Sequence, residues 1–246
     1  MVLALLGIGC RESRSPSPTH TTAVPGITSS ASVFPCPHPY YPLRQGFAIN
    51  YESSGGPRPG PSHLEVIAVS STGALVRTTL DTFTGSQYVR CAPDGGLTGQ
   101  GSVDFLAARL RGVEATIESS EGDLLPRTLA TGVEWTSTMN IHLRFSDNPA
   151  MASAGLGDIR GRITLQHKAI SAEEVRVAAG RFDALKIQTT MHTTLDLPGG
   201  RASVNPLGED AHTDEWWVRD TGVVKTTIPI GGGVVIETQA TAIFRP

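Results

Sequence analysis

The chain has 246 residues, with 20 Lys and Arg against 23 Asp and Glu, for a formal charge of -3. That balance excludes a strongly basic nucleic-acid binder, so no nucleic-acid partner is expected. At 39% hydrophobic and 17% charged residues the chain is too apolar to be disordered throughout, and it is long enough to bury a sizeable core.

Met1-Val-Leu-Ala-Leu-Leu-Gly-Ile-Gly-Cys10 is a short apolar run ending in a small residue and a cysteine, after which the sequence turns polar and proline-rich. It is far below the roughly 20 residues of a membrane-spanning helix. It reads as the end of an export signal over residues 1–10. A small residue before Cys resembles the lipobox of bacterial lipoproteins, and that resemblance implies lipidation of Cys10 and a membrane held through an N-terminal lipid anchor. An ordinary cleaved signal and a buried N-terminal strand are the alternatives. Residues 11–37, rich in Ser, Thr and Pro, cannot bury enough apolar area to offset the entropy of ordering them, and are expected to form a disordered tether.

With Cys10 assigned to lipid, Cys36 and Cys91 remain as a pair, both in proline-punctuated turns. In an oxidising compartment they are expected to form a disulfide; two unpaired buried thiols are the alternative. The chain has no CxxC or HxxxH spacing, and no metal site is expected.

From residue 38 to 246 the dominant signal has period two, and one β-domain is expected. Leu185, Ile187, Thr189, Met191, Thr193, Leu195 and Leu197 make one mainly apolar face, and the intervening residues a polar one. Ile141, Leu143 and Phe145 alternate with His142 and Arg144 in the same way, as do Ile163, Leu165, His167 and Ala169 with Arg162, Thr164, Gln166 and Lys168. Strands with one wet face belong to antiparallel sheets, and Gly-rich turns at short intervals suit hairpins. Only Ser102–Leu110 offers a helical spacing, and it is as easily a strand. The closing segment reads as a hairpin, Val223–Ile230 and Val234–Phe244, turned by Gly231-Gly232-Gly233, with Pro229 at a strand end or edge. The expected fold class is therefore all-β with at most one short helix: a curved antiparallel sheet or open β-barrel.

Leu43-x-x-Gly46-x-x-Ile49 recurs 86 positions later as Leu129-x-x-Gly132-x-x-Trp135, each after a proline. The pattern suits a turn whose Leu seals a barrel end, whose Gly takes positive φ or allows close approach, and whose large apolar residue enters the core. Two similar halves, 40–125 and 126–246, would follow; coincidence among common residues is the alternative.

Tyr41-Pro-Leu-Arg-Gln-Gly46, Leu125-Pro-x-x-Leu-x-x-Gly-x-x-Trp135, Val175-Arg-Val-Ala-Ala-Gly-Arg-Phe-Asp-Ala-Leu-Lys186 and Trp217-Val-Arg-Asp-Thr-Gly-Val-Val-Lys225 resemble segments of a broad group of uncharacterised bacterial envelope lipoproteins. That group has a curved antiparallel sheet and is distantly similar in architecture to the LolA/LolB lipoprotein carriers. The resemblance implies a hairpin turned at Gly180 and a closing hairpin turned at Asp220 to Gly222. It brings no enzymatic activity with it.

Motifs for catalysis are missing: there is no Gly-x-Ser-x-Gly, HExxH or GxxxxGK[ST] in the chain. No catalytic residue and no cofactor is expected. His142, His167 and His192 stand at intervals of 25 residues, but parity puts His142 and His192 on polar faces and His167 on an apolar one, so they would not converge on a metal ion. His167 would be hydrogen-bonded in the core or line a cavity. Gly208–Glu215 gathers carboxylates around His212 and reads as a solvated acidic turn; calcium held by Glu209, Asp210 and Asp214 is the other reading. Trp216 and Trp217 are adjacent on a strand and must face opposite ways. Trp135, Trp216, Trp217 and His167 are the candidate ligand-binding residues.

The expected role is non-catalytic: an exported, lipid-anchored envelope protein binding an amphipathic or lipidic ligand, or a partner envelope protein. The competing expectations are a hydrolase or metalloenzyme built on His and acidic residues, and a purely structural surface lipoprotein.

Overall fold

The computed structural model describes residues 36–55, 59–80, 83–99, 114–145, 153, 155–197, 199–204, 212–229 and 233–246. The leader with Cys10, the segment 11–35 and the ambiguous stretch Ser102–Leu110 lie outside them. Every named element among the described residues is a strand: β1 Ala48–Ser54, β2 Gly60–Ser70, β3 Gly73–Leu80, β4 Phe83–Cys91, β5 Leu97–Gly99, β6 Glu114–Gly122, β7 Glu134–Arg144, β8 Asp158–Val177, β9 Gly180–Leu197, β10 Gly200–Val204, β11 His212–Val218, β12 Gly222–Pro229 and β13 Val235–Phe244. All pairings are antiparallel, as alternating half-buried strands require.

Twelve strands follow one path, β5-β4-β3-β2-β1-β13-β12-β11-β9-β8-β7-β6, with β10 paired to β9 off it. The path curls until its two ends meet. The Leu97 amide of β5 donates to the Leu125 carbonyl just past β6 at 2.8 Å, and the Leu124 amide donates back to the Leu97 carbonyl at 2.7 Å. The result is a nearly closed barrel.

Around that barrel β1 to β6 are followed by β7, β8, β9, β11, β12 and β13, six strands and six again, with β10 an extra strand in the second set. The sequence echo sits at the same place in each. Gly46 and Gly132 both have left-handed backbone, φ 81° and 88°, which a residue with a Cβ adopts only at a cost. The Gly46 amide donates to Val66 O (2.9 Å) and the Val66 amide to Phe47 O (2.9 Å). In the second set the Gly132 amide donates to Ala169 O (2.8 Å) and the Ala169 amide to Val133 O (2.9 Å). Each accepting strand then bulges, β2 between Val66 and Ala68, β8 between Ala169 and Ser171. Leu43 and Leu129 are both buried. The two copies of the echo thus share one local turn-and-bulge geometry.

The hairpins fall where the sequence placed them. Pro229 ends β12 opposite Val235, the strand-end position expected of it. Gly180 turns β8 into β9, and Asp220 (φ 54°) with Gly222 turns β11 into β12. Cys36 and Cys91 form a disulfide with Cα atoms 5.5 Å apart, fastening the segment before β1 to the end of β4. Next to it His38 is buried, its Nε2 donating to the Pro126 carbonyl (3.0 Å), which ties the first set of strands to the start of the second.

The core has two parts. The larger lies inside the barrel and includes Leu43, Ile49, Val66, Val76, Val89, Leu125, Ile187, Trp217 and Val224. The smaller, Ile141, Leu143, Ile159 and Ile163 with Ala115, Ile117, Met139, Leu165, Met191, Leu195 and Leu197 against it, lies where β7, β8 and β9 run alongside β6.

Candidate ligand site in the barrel lumen

Inward positions follow from register. Trp135, Ser137, Met139 and Ile141 of β7 stand opposite His167, Leu165, Ile163 and Gly161 of β8. Those in turn face Thr189, Met191, Thr193 and Leu195 of β9. Beside them run Thr213, Glu215 and Trp217 of β11, opposite Thr189, Ile187 and Leu185. Thr226 of β12 lies opposite Glu215, and Thr238 of β13 opposite Thr226 and Ser53. A band of hydroxyls, one imidazole and one carboxylate therefore separates the two apolar clusters.

Trp135 and His167, neighbours across one strand pair, stack with centroids 4.8 Å apart and planes 14° from parallel. The imidazole meets the Ser137 hydroxyl at Nε2 (3.2 Å) and the Thr189 hydroxyl at Nδ1 (2.9 Å). Burial lowers the His167 pKa to about 4, so the ring is neutral near pH 7. Among the described residues it meets two hydroxyls and no carboxylate. Trp135 Nε1 is buried and has no hydrogen-bond partner, alone in this among the described residues. An indole N–H is a donor only, and leaving it unsatisfied inside a protein is costly.

The adjacent tryptophans divide as strand geometry demands. Trp217 is buried in the barrel, its ring 6.1 Å from Tyr41, and its Nε1 donates to Glu215 Oε2 (2.9 Å). Trp216 faces outward, bonded to Glu173 (2.6 Å) with Lys186 and Lys225 ammonium groups 5.1 and 5.3 Å from its ring centroid. It covers the outer surface and does not reach the lumen.

Glu215 corrects the expectation of a solvated acidic turn across Gly208–Glu215. β11 begins at His212, and strand alternation turns Glu215 to the same side as Trp217, into the barrel. Residues 205–211, with Glu209 and Asp210, lie outside the described residues, and Asp214 pairs with Lys186 at 2.8 Å. Desolvation raises the Glu215 pKa above the usual carboxyl range, opposed by the Trp217 hydrogen bond. Two tyrosines share the interior. Tyr51 Oη donates to Val223 O (2.8 Å), and Tyr41 Oη accepts from Gln87 Nε2 (3.4 Å). Burial pushes the Tyr41 pKa up to about 12 and Tyr51 further in the same direction.

The end of the barrel sealed by these tyrosines is tight. A cavity of about 40 Å³ remains between Tyr41, Ile49, Tyr51, Leu64, Val66 and Val223, room for a few waters only. In the polar band Trp135, His167, Thr189 and Glu215 are half-buried. A larger basin, about 440 Å³, lies on the outward face among Glu118, Asn140, Arg160, Arg162, Thr194 and Asp196. Its Arg160 is already held by Glu118 at 3.0 Å, and the surface is that of a solvated sheet face. His142, on that face, bonds Asp158 (2.6 Å). Among the described residues no three His, Cys, Asp or Glu side chains are grouped to hold a metal ion.

No family model and no curated protein matches the chain. Two solved structures share its fold. A candidate exported protein with a YmcC-like fold from Bacteroides fragilis aligns with TM-score 0.54 and 14% identity, covering 84% of this chain and 99% of its own. A candidate lipoprotein from Parabacteroides distasonis aligns with TM-score 0.55 and 14% identity, covering 83% and 98%. At that identity the likeness carries the fold and no site.

Proposed function

We propose that the chain is an exported envelope protein, held at a membrane through lipid on Cys10, whose barrel takes up an amphipathic ligand without catalysing a reaction. Support for export comes from three sides: the apolar leader ending in Gly9-Cys10, the Cys36–Cys91 disulfide suited to an oxidising compartment, and two fold neighbours named as exported protein and lipoprotein. The ligand reading rests on one observation: the Trp135 N–H, buried and unpartnered, at a polar band between two apolar clusters. An amphipathic molecule would place an acceptor at that N–H and its hydrocarbon against Met139, Leu165 and Met191, which are half-buried where the band ends.

The test is organic extraction of the full-length protein purified from its native envelope, followed by mass spectrometry. An amphiphile in near-stoichiometric amount, lost in Trp135→Phe and kept in Trp216→Phe, is the expected result. An empty extract from folded protein, with no single-chain amphiphile binding on addition, would leave the structural surface protein as the better account.

A further inference from the structure

Glu215 poses a charge problem that the described residues leave open. Among the described residues its one hydrogen bond is from Trp217 Nε1. Its inward neighbours across the ladder are Ile187 and Thr226, and along its own strand Thr213 and Trp217. None carries a positive charge. The nearest lysines in register, Lys186 and Lys225, lie on the outward face, where Asp214 takes the first at 2.8 Å and Glu237 the second at 2.7 Å. Both also sit over Trp216, outside the wall. Among the described residues the other titratable groups turned inward are Tyr41, Tyr51 and His167, and none of these supplies a cation near pH 7. A carboxylate taken out of water without a counter-charge is strongly unfavourable, and it stays ionised there only when a cation pairs with it. Glu215 itself is half-buried.

We infer that the ligand of this lumen carries a protonated amine, which pairs with the Glu215 carboxylate while an acceptor on the same molecule takes the Trp135 N–H. The inference rests on the lumen being a ligand site, and adds the chemical class of the head group. Amine and carboxylate form a charge-assisted hydrogen bond, roughly twice as strong as a neutral one. The second carboxylate oxygen is the one available, since Trp217 holds Oε2.

Dodecylamine, dodecanol and dodecanoate share one chain and differ in head group, and all three can be titrated below micelle formation at pH 7 into the full-length protein by calorimetry. The expected order is amine first, with about tenfold or more over the alcohol, and the carboxylate last. In Glu215→Gln, which keeps the shape and the acceptor for Trp217, the preference for amine over alcohol should disappear while alcohol binding stays. Equal binding of amine and alcohol to the unaltered protein would overturn the inference and leave the lumen reading standing, as would a preference surviving in Glu215→Gln. Binding of none of the three would overturn both. Comparison of the three probes on the unaltered chain needs no variant to fold.

Discussion

His167 makes a sharp prediction because its environment favours the neutral ring. Its folded pKa of about 4 lies below the ordinary 6.5, so between those values the unfolded chain binds the extra proton. The stability it contributes is complete above pH 6.5 and is lost as pH falls toward 4, about 3 kcal/mol over the window. Urea unfolding across that range should show this loss in the unaltered protein and little of it in His167→Gln; parallel curves would contradict the burial argued for the ring. The residue itself was legible in sequence, since it shares parity with Ile163 and Leu165. Glu215 was hidden by its company. Beside Asp210, His212 and Asp214 it looked like part of a wet turn, yet it sits two positions before Trp217, and once one tryptophan is taken as inward, alternation carries the carboxylate inward too. Sequence alone could say that Trp216 and Trp217 diverge, but not which one enters, because that depends on the bulge at Val224 and on the lysines flanking Trp216.

At the scale of elements, period two marked parts of β7, β8 and β9, because each buries one face and wets the other, while β13 was read as the second arm of a closing hairpin. Less visible were the bulges after Val66 and Ala169, which leave no residue signature and exist to meet the incoming turn at Gly46 or Gly132. That pairing predicts what substitution should do. A Cβ at Gly132 would meet nothing within 4 Å, so Gly132→Ala is left with only the strain of positive φ. It should cost about 1–2 kcal/mol, measured by denaturant midpoint, with the fold unchanged by circular dichroism. A neutral or stabilising outcome would mean that the turn relaxes and that the shared geometry of the two sets is not held by the glycine. Ser102–Leu110, where helix and strand were equally suited, lies outside the described residues.

For the whole molecule, twelve strands closed by a few bonds at Leu97 and Leu125 depend on what holds the sheet's ends in place. The Cys36–Cys91 disulfide anchors the segment that seals one end, closing a loop of 55 residues. By chain entropy it contributes about 4 kcal/mol, and Cys36→Ala with Cys91→Ala should lower the thermal midpoint by many degrees while keeping the strands. Unchanged stability would show that the sealing segment is held by packing alone. The pairing was readable from proline-flanked cysteines and the assignment of Cys10 elsewhere; the barrel's enclosed space was not, since side-chain volumes along strands do not reveal how far the sheet curls. The central claim, that an amphiphile enters that space and reaches Trp135, is tested most directly by quenching of intrinsic fluorescence with a brominated single-chain amphiphile. Saturable quenching that disappears in Trp135→Phe is the predicted result; quenching that is absent, or unchanged in that variant, would contradict it.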